Sequence, residues 1–193
     1  MENRVEPVKQ TVIVDASFLN FITSDFKTNF ERILNRQLNR VDLSVLFTYL
    51  MMDCGIAAGD NEIDVYLVYN KQEQNLSVCT PSNVSELHQK AFKNVFGEFS
   101  FYAYSNEGFA GIDEFFLDSL ITLLEDNKVQ RLAVVGFNER YGEAVDKILD
   151  ETKNSKVVTK FVMSKEEVHK NFRTEMIAYS IMIALGIKDE ELK

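Results

Sequence analysis

The chain has 193 residues, 46% of them apolar, with 15 phenylalanines and no tryptophan, which is enough for one domain with a substantial core. A net charge of −9 argues against a protein that coats nucleic acid through phosphate contacts alone, although acids gathered around metal ions also make a sequence acidic. Two prolines and eight glycines exclude a Pro/Gly-rich linker, and no repeat is visible.

In chain order, the polar, mixed-charge stretch 1–10 reads as a tail and not as a signal peptide. Thr11-Val12-Ile13-Val14-Asp15 then has the β-branched run of a buried parallel strand ending in an acid. Ligands of open α/β sheets bind outside the carboxyl ends of the strands, so Asp15 is placed either to hold a divalent cation or to cap the next helix. A helix is expected over 28–40 and another from Asp42, as N-cap, through Leu43–Met52, with Gly55 as its end signal.

Further strands are expected at 63–69, 76–79, 99–104, 132–136 and 157–163, and helices at 84–96, 112–125 and 141–150. Strands alternating with helical patterns predict a three-layer α/β domain, its mainly parallel sheet flanked by helices. The strand ending at Asp15 is expected beside the one ending at Gly136. Ser164-Lys165-Glu166-Glu167 reads as a capping box opening an added C-terminal helix that ends near Gly186. The tract 176–187 is too short to span a bilayer. It is apolar on more than one face, which suits either core packing or a homo-oligomer contact.

Three segments carry acids toward one rim of such a sheet. They are Asp15, then Gly111-Ile112-Asp113-Glu114-Phe115-Phe116-Leu117-Asp118, then Gly136-Phe137-Asn138-Glu139-Arg140-Tyr141. Carboxylates gathered there can coordinate Mg²⁺ or Mn²⁺ and activate water against a phosphodiester. The order of these motifs, from Ile-Val-Asp15-Ala-Ser-Phe-Leu through Gly-Ile-Asp113 to Leu-Ala-Val-Val-Gly136, resembles the NYN branch of the PIN-like nucleases over residues 10 to 163.

That resemblance implies a Rossmann-like PIN/NYN domain over 11–163, with 164–193 as a helical extension. It also implies metal-dependent RNA cleavage, with Asp15 and Asp113 as catalytic metal ligands; Asp118 or Glu139 would aid them as further ligands. The motifs depart from the family pattern. Ala110 stands for a lysine, Asp118 falls one position early, and Asn138 and Arg140 stand where acids are expected. Two function classes follow: a metal-dependent ribonuclease or RNA-processing relative, and an inactive descendant that works by protein contacts or self-association. A response-type signalling module lacks the paired acids and strand-end Thr/Lys signals.

The remaining candidates carry bland readings. Arg32, Arg36 and Arg40 recur at helical spacing, which suits a solvated face better than a phosphate-binding stripe. His88 and His169 have no second ligand at a metal spacing. Tyr66, Tyr69, Tyr102 and Tyr104 suit sheet packing better than base stacking. Cys54 and Cys79 form no pattern, and with no export signal the expected location is cytoplasmic.

Overall fold

The computed structural model describes residues 9–107, 111–152, 155–164 and 168–192. Residues 1–8 of the tail, Ala110, and Lys165, Glu166 and Glu167 of the expected capping box lie outside them. The elements are β1 (Lys9–Asp15), α1 (Ala16–Leu34), β2 (Val41–Asp42), α2 (Leu43–Asp53), β3 (Asn61–Tyr69), β4 (Cys79–Thr80), β5 (Ala91–Asn94) and β6 (Gly97–Ser105). They continue with α3 (Ile112–Glu125), β7 (Val129–Val135), α4 (Asn138–Glu151), β8 (Val157–Val162), β9 (Arg173–Met176) and α5 (Ala178–Ala184).

Seven strands make one sheet in the order β5-β6-β3-β1-β7-β8-β9. Only β5 runs antiparallel to its neighbour. The other six are parallel. Numbered along the chain, these six stand in the order 3-2-1-4-5-6 of doubly wound folds, in which the connections reverse direction between the first and fourth strands. Here those are β1 and β7, paired from Gln10 with Arg131 to Val14 with Val135. The expected neighbours are therefore adjacent and central.

Side-chain alternation along the strands builds the two outer layers. Val12 and Val14 point into a core with Phe18, Leu19, Leu43, Leu46, Phe47 and Ile181, so α1, α2 and α5 cover that face. Ile13 points the other way, to Phe116, Leu120, Tyr141 and Val145 of α3 and α4. The α2 start falls where expected, with Asp42 accepting from the amides of Ser44 (2.8 Å) and Val45 (3.3 Å).

Three sequence expectations are corrected. The helix expected over 28–40 begins at Ala16 and ends at Leu34. Phe18, Leu19, Ile22 and Phe26 form a buried stripe at helical spacing ahead of residue 28, and Asn35 stops the helix in the left-handed region at φ 50°. The helix expected over 84–96 is a single 3₁₀ turn at Ser85–Leu87 followed by β5. Gln89 at φ 59° breaks the helical run, and Phe92 stacks on Phe99 across the hairpin, ring centroids 4.5 Å apart. The segment 164–193, expected as an added helix, supplies the edge strand β9 and only a seven-residue α5. The expected end at Gly186 is met, at φ +75°, with its amide and that of Ile187 bonded back to Ile183 and Met182.

One glycine is dictated by the sheet. Gly97 begins β6 at φ +126°, and a Cβ there would lie 2.1 Å from the Asn61 carbonyl oxygen. Only glycine lets β6 start so close to β3.

Candidate functional site

Asp15 ends the central strand at the point where the sheet order reverses, and its side chain is fully buried. It does what a strand-end acid before a helix does: Oδ1 accepts from the amides of Ser17 (2.8 Å) and Phe18 (3.2 Å), capping α1. Its other oxygen, Oδ2, accepts a 2.7 Å hydrogen bond from the Tyr141 hydroxyl. That hydroxyl in turn accepts from the Phe137 amide at 3.0 Å. Burial pushes the Asp15 carboxyl up from its ordinary value, against the opposing pull of the Tyr141 hydroxyl, the two amides and the Arg140 charge. Burial beside Asp15 also pushes the Tyr141 phenol well above its ordinary value, which keeps it a donor.

The backbone is shaped to bring Tyr141 there. It breaks the helical run of α4, with φ −139° and ψ 17°, so its ring turns in against Phe116, centroids 5.2 Å apart. Gly136, at the end of β7, leaves room for it: a Cβ would lie 2.6 Å from the Tyr141 hydroxyl oxygen.

Asp113 lies in the first turn of α3 and is held by Arg140, Nη2 to Oδ1 2.5 Å. The same guanidinium lies over the Phe137 ring, 4.9 Å from its centroid, a cation–π contact. Phe137 also packs edge-on against Phe18 at 5.1 Å and near Phe21 at 5.7 Å, leaving Phe21 57% exposed at the rim. Asp118 and Glu139 are solvent-exposed on α3 and α4.

The rim therefore brings Asp15, Tyr141, Arg140 and Asp113 together, but not as a cation cradle. Both Asp15 oxygens are occupied by the protein's own donors, and a cation side chain is paired with Asp113. Among the described residues no three His, Cys, Asp or Glu side chains are grouped so as to hold a metal ion. This donor set does not fit a divalent cation. Sequence reading missed Tyr141 as a site residue; the signal was a buried-type aromatic five positions beyond Gly136, in the stretch where acids were sought.

The other sequence candidates are engaged elsewhere. Arg36 pairs with Glu191 through Nε at 2.7 Å, and Arg40 donates to the Cys79 carbonyl through Nη2 at 2.7 Å. These two tie loops together and do not form an open basic stripe. His88 Nδ1 accepts from the Ala103 amide at 3.1 Å, and His169 stacks on Phe172 at 4.1 Å. Tyr66 stacks with Tyr102 (5.3 Å) and Tyr104 (6.1 Å) on the sheet face beside α3, whereas Tyr69 belongs to the opposite core. Cys54 and Cys79 are buried free thiols, each pushed up to about 11 by burial, so neither is a ready nucleophile.

Fold and site together define an α/β protein with a mainly parallel sheet whose switch-point acids are engaged by the chain's own side chains. A family model described as a family of unknown function (DUF6621) matches residues 5–192, and the chain belongs to that family. No curated protein and no solved structure matches it. No helix among the described residues is long and apolar enough to cross a membrane.

Proposed function

We propose that this protein is a PIN/NYN-like α/β module whose acidic site is closed by its own side chains, acting through protein contacts or self-association and not by RNA cleavage. The observation that carries this reading is the double engagement of the site: Tyr141 on Asp15 and Arg140 on Asp113. A catalytic Mg²⁺ or Mn²⁺ needs open oxygen ligands. Here entry of the ion would require breaking a buried charge-assisted hydrogen bond and displacing a guanidinium. Cytoplasmic placement belongs to the same proposal.

The ribonuclease reading keeps one observation in its favour, the position of Asp15 at the switch point where ligands of doubly wound sheets bind. The two readings separate in one pair of measurements. A ligand that binds only the native state raises its melting temperature. On the closed-site reading, millimolar Mn²⁺ leaves the melting temperature where chelator leaves it, and single-stranded RNA stays intact. A Mn²⁺-dependent rise in melting temperature together with RNA cleavage, both lost in Asp15→Asn, would overturn it in favour of the nuclease.

A further inference from the structure

The edge strand β9 is complementary in charge to its own reverse. Its sequence with the preceding residue is Phe172-Arg173-Thr174-Glu175-Met176: apolar, basic, hydroxyl, acidic, apolar. Among the described residues it pairs on one side only, with β8, in parallel from Thr159 opposite Arg173 to Val162 opposite Met176. The Ile177 amide donates to the Val162 carbonyl at 3.0 Å. Backbone groups alternate in direction along a strand, so Arg173 and Glu175 face β8 with Ile177, and Phe172, Thr174 and Met176 point their N–H and C=O groups outward. Side chains alternate as well. Phe172 belongs to the α3/α4 face, which puts Thr174 and Met176 on that face. Arg173 reaches the Asp53 carbonyl at the end of α2, which puts Arg173 and Glu175 on the other.

We propose that the protein forms a two-fold symmetric dimer by antiparallel pairing of β9 with β9 of a second copy, centred on Thr174. In that register every contact is matched. Thr174 and the partner's Thr174 exchange two backbone hydrogen bonds as a hydrogen-bonded pair. Arg173 lies opposite the partner's Glu175 on one face, and Glu175 opposite the partner's Arg173. On the other face Met176 lies opposite the partner's Phe172. Threonine pairs and opposite charges directly across an antiparallel ladder are favourable. The groups are accessible: the side chains of Arg173 and Glu175 are 44% and 42% exposed, and within one copy their contact is a loose 4.0 Å. Met176 (49% exposed) on the α3/α4 face and Tyr179 (44%) of α5 on the opposite face add apolar surface beside the strand. In this two-fold pairing each face of the strand meets the same face of the second copy.

Charges on an edge strand usually keep other strands away. The arrangement here differs, because the acid and the base are placed symmetrically about one residue, so a second copy in this register meets complementary charge. A strand shifted by one residue, or the edge of a different protein, does not. The opposite edge has no such device: β5 is Ala-Phe-Lys-Asn, with a base and no acid. This inference names the surface for the self-association allowed by the closed-site reading. It stands or falls separately, since none of the groups it uses touches Asp15.

The test is sedimentation of the full chain from low to high micromolar concentration, with three variants. Thr174→Pro removes an N–H that points away from β8, so proline there leaves the parent sheet paired. Glu175→Arg places like charges across the ladder. Thr174→Cys puts two thiols at a Cα spacing of about 5.5 Å, within disulfide reach. The expected result is a wild-type dimer, dissociation raised roughly tenfold or more by Thr174→Pro and by Glu175→Arg, and a cross-linked dimer for Thr174→Cys on mild oxidation. Unchanged far-UV circular dichroism keeps the comparison valid. A wild-type chain that is monomeric throughout overturns the proposal. So does a dimer indifferent to both disrupting substitutions and not cross-linked through position 174.

Discussion

The Tyr141 hydroxyl and the Asp15 carboxylate are joined by a 2.7 Å hydrogen bond at the carboxyl end of the central strand. Through it, one buried side chain serves the cap of α1, the end of β1 and the start of α4.

Removing the hydroxyl should be costly. Tyr141→Phe keeps the ring against Phe116 but leaves Asp15 Oδ2 and the Phe137 amide without their partner. A buried polar group left unsatisfied costs about 1–3 kcal/mol. The expected outcome is a loss in that range by urea unfolding, seen as a lower midpoint at unchanged slope. An unshifted midpoint would show that the bond contributes nothing.

The same carboxylate should leave a mark on stability as a function of pH. Its native pKa is raised by burial above the unfolded value of about 3.9. Between the two values the native state holds the proton more tightly than the unfolded chain. Stability therefore falls as pH rises through that window. Asp15→Asn retains a cap acceptor and cannot titrate. The difference between wild type and variant unfolding energies, measured from pH 4 upward, should decline with pH and then level off. A flat difference would place the native pKa at its ordinary value.

Lys160, on β8 next to the edge strand β9, has a side chain only 5% exposed and is paired with Asp146 of α4 at 2.6 Å. Deleting the acid takes a close, charged partner from a buried cation, which is destabilising. We expect Asp146→Ala to cost about 1–3 kcal/mol and Lys160→Met, which removes the charge and keeps the length, to cost clearly less. Thermal unfolding of both variants checks the order; the reverse order would refute it.

Gly97→Ala should be among the most damaging small substitutions in the chain. It sets a Cβ at a positive φ and against the Asn61 backbone, where neither neighbour is a flexible side-chain tip. Strained backbone of this kind costs about 1–3 kcal/mol before any clash. The measurement is the denaturant midpoint; a variant as stable as wild type would show that β6 can shift away from β3.

Sequence reading located the elements whose signals are local. The run Val12-Ile13-Val14 is apolar because β1 is covered on both faces. Asp42 and Gly111 sit at helix starts where the chain turns. It failed where the deciding partner is distant in sequence. Phe92 looks helical among its neighbours, yet its place is set by Phe99 and Phe101 on the next strand. Arg173–Met176 is short and half charged, and only β8 makes it a strand. In the site, Asp15 and Asp113 were legible as acids at one rim, and Arg140 as a cation among them. Tyr141 was not, because its role depends on a local departure from helical geometry and on the space left by Gly136.

The Asp15 cluster also has a mechanical consequence. In doubly wound sheets the two halves diverge from the first strand, and the gap between their helices is where a guest molecule settles. Here a side chain from α4, in one half, grips the strand end that launches α1, in the other. The halves are stitched across their seam, so they should open together or not at all. In hydrogen exchange, the amides of Phe18 on one side and Phe137 on the other would then share one slow, global opening event, a behaviour expected of a single cooperative unit.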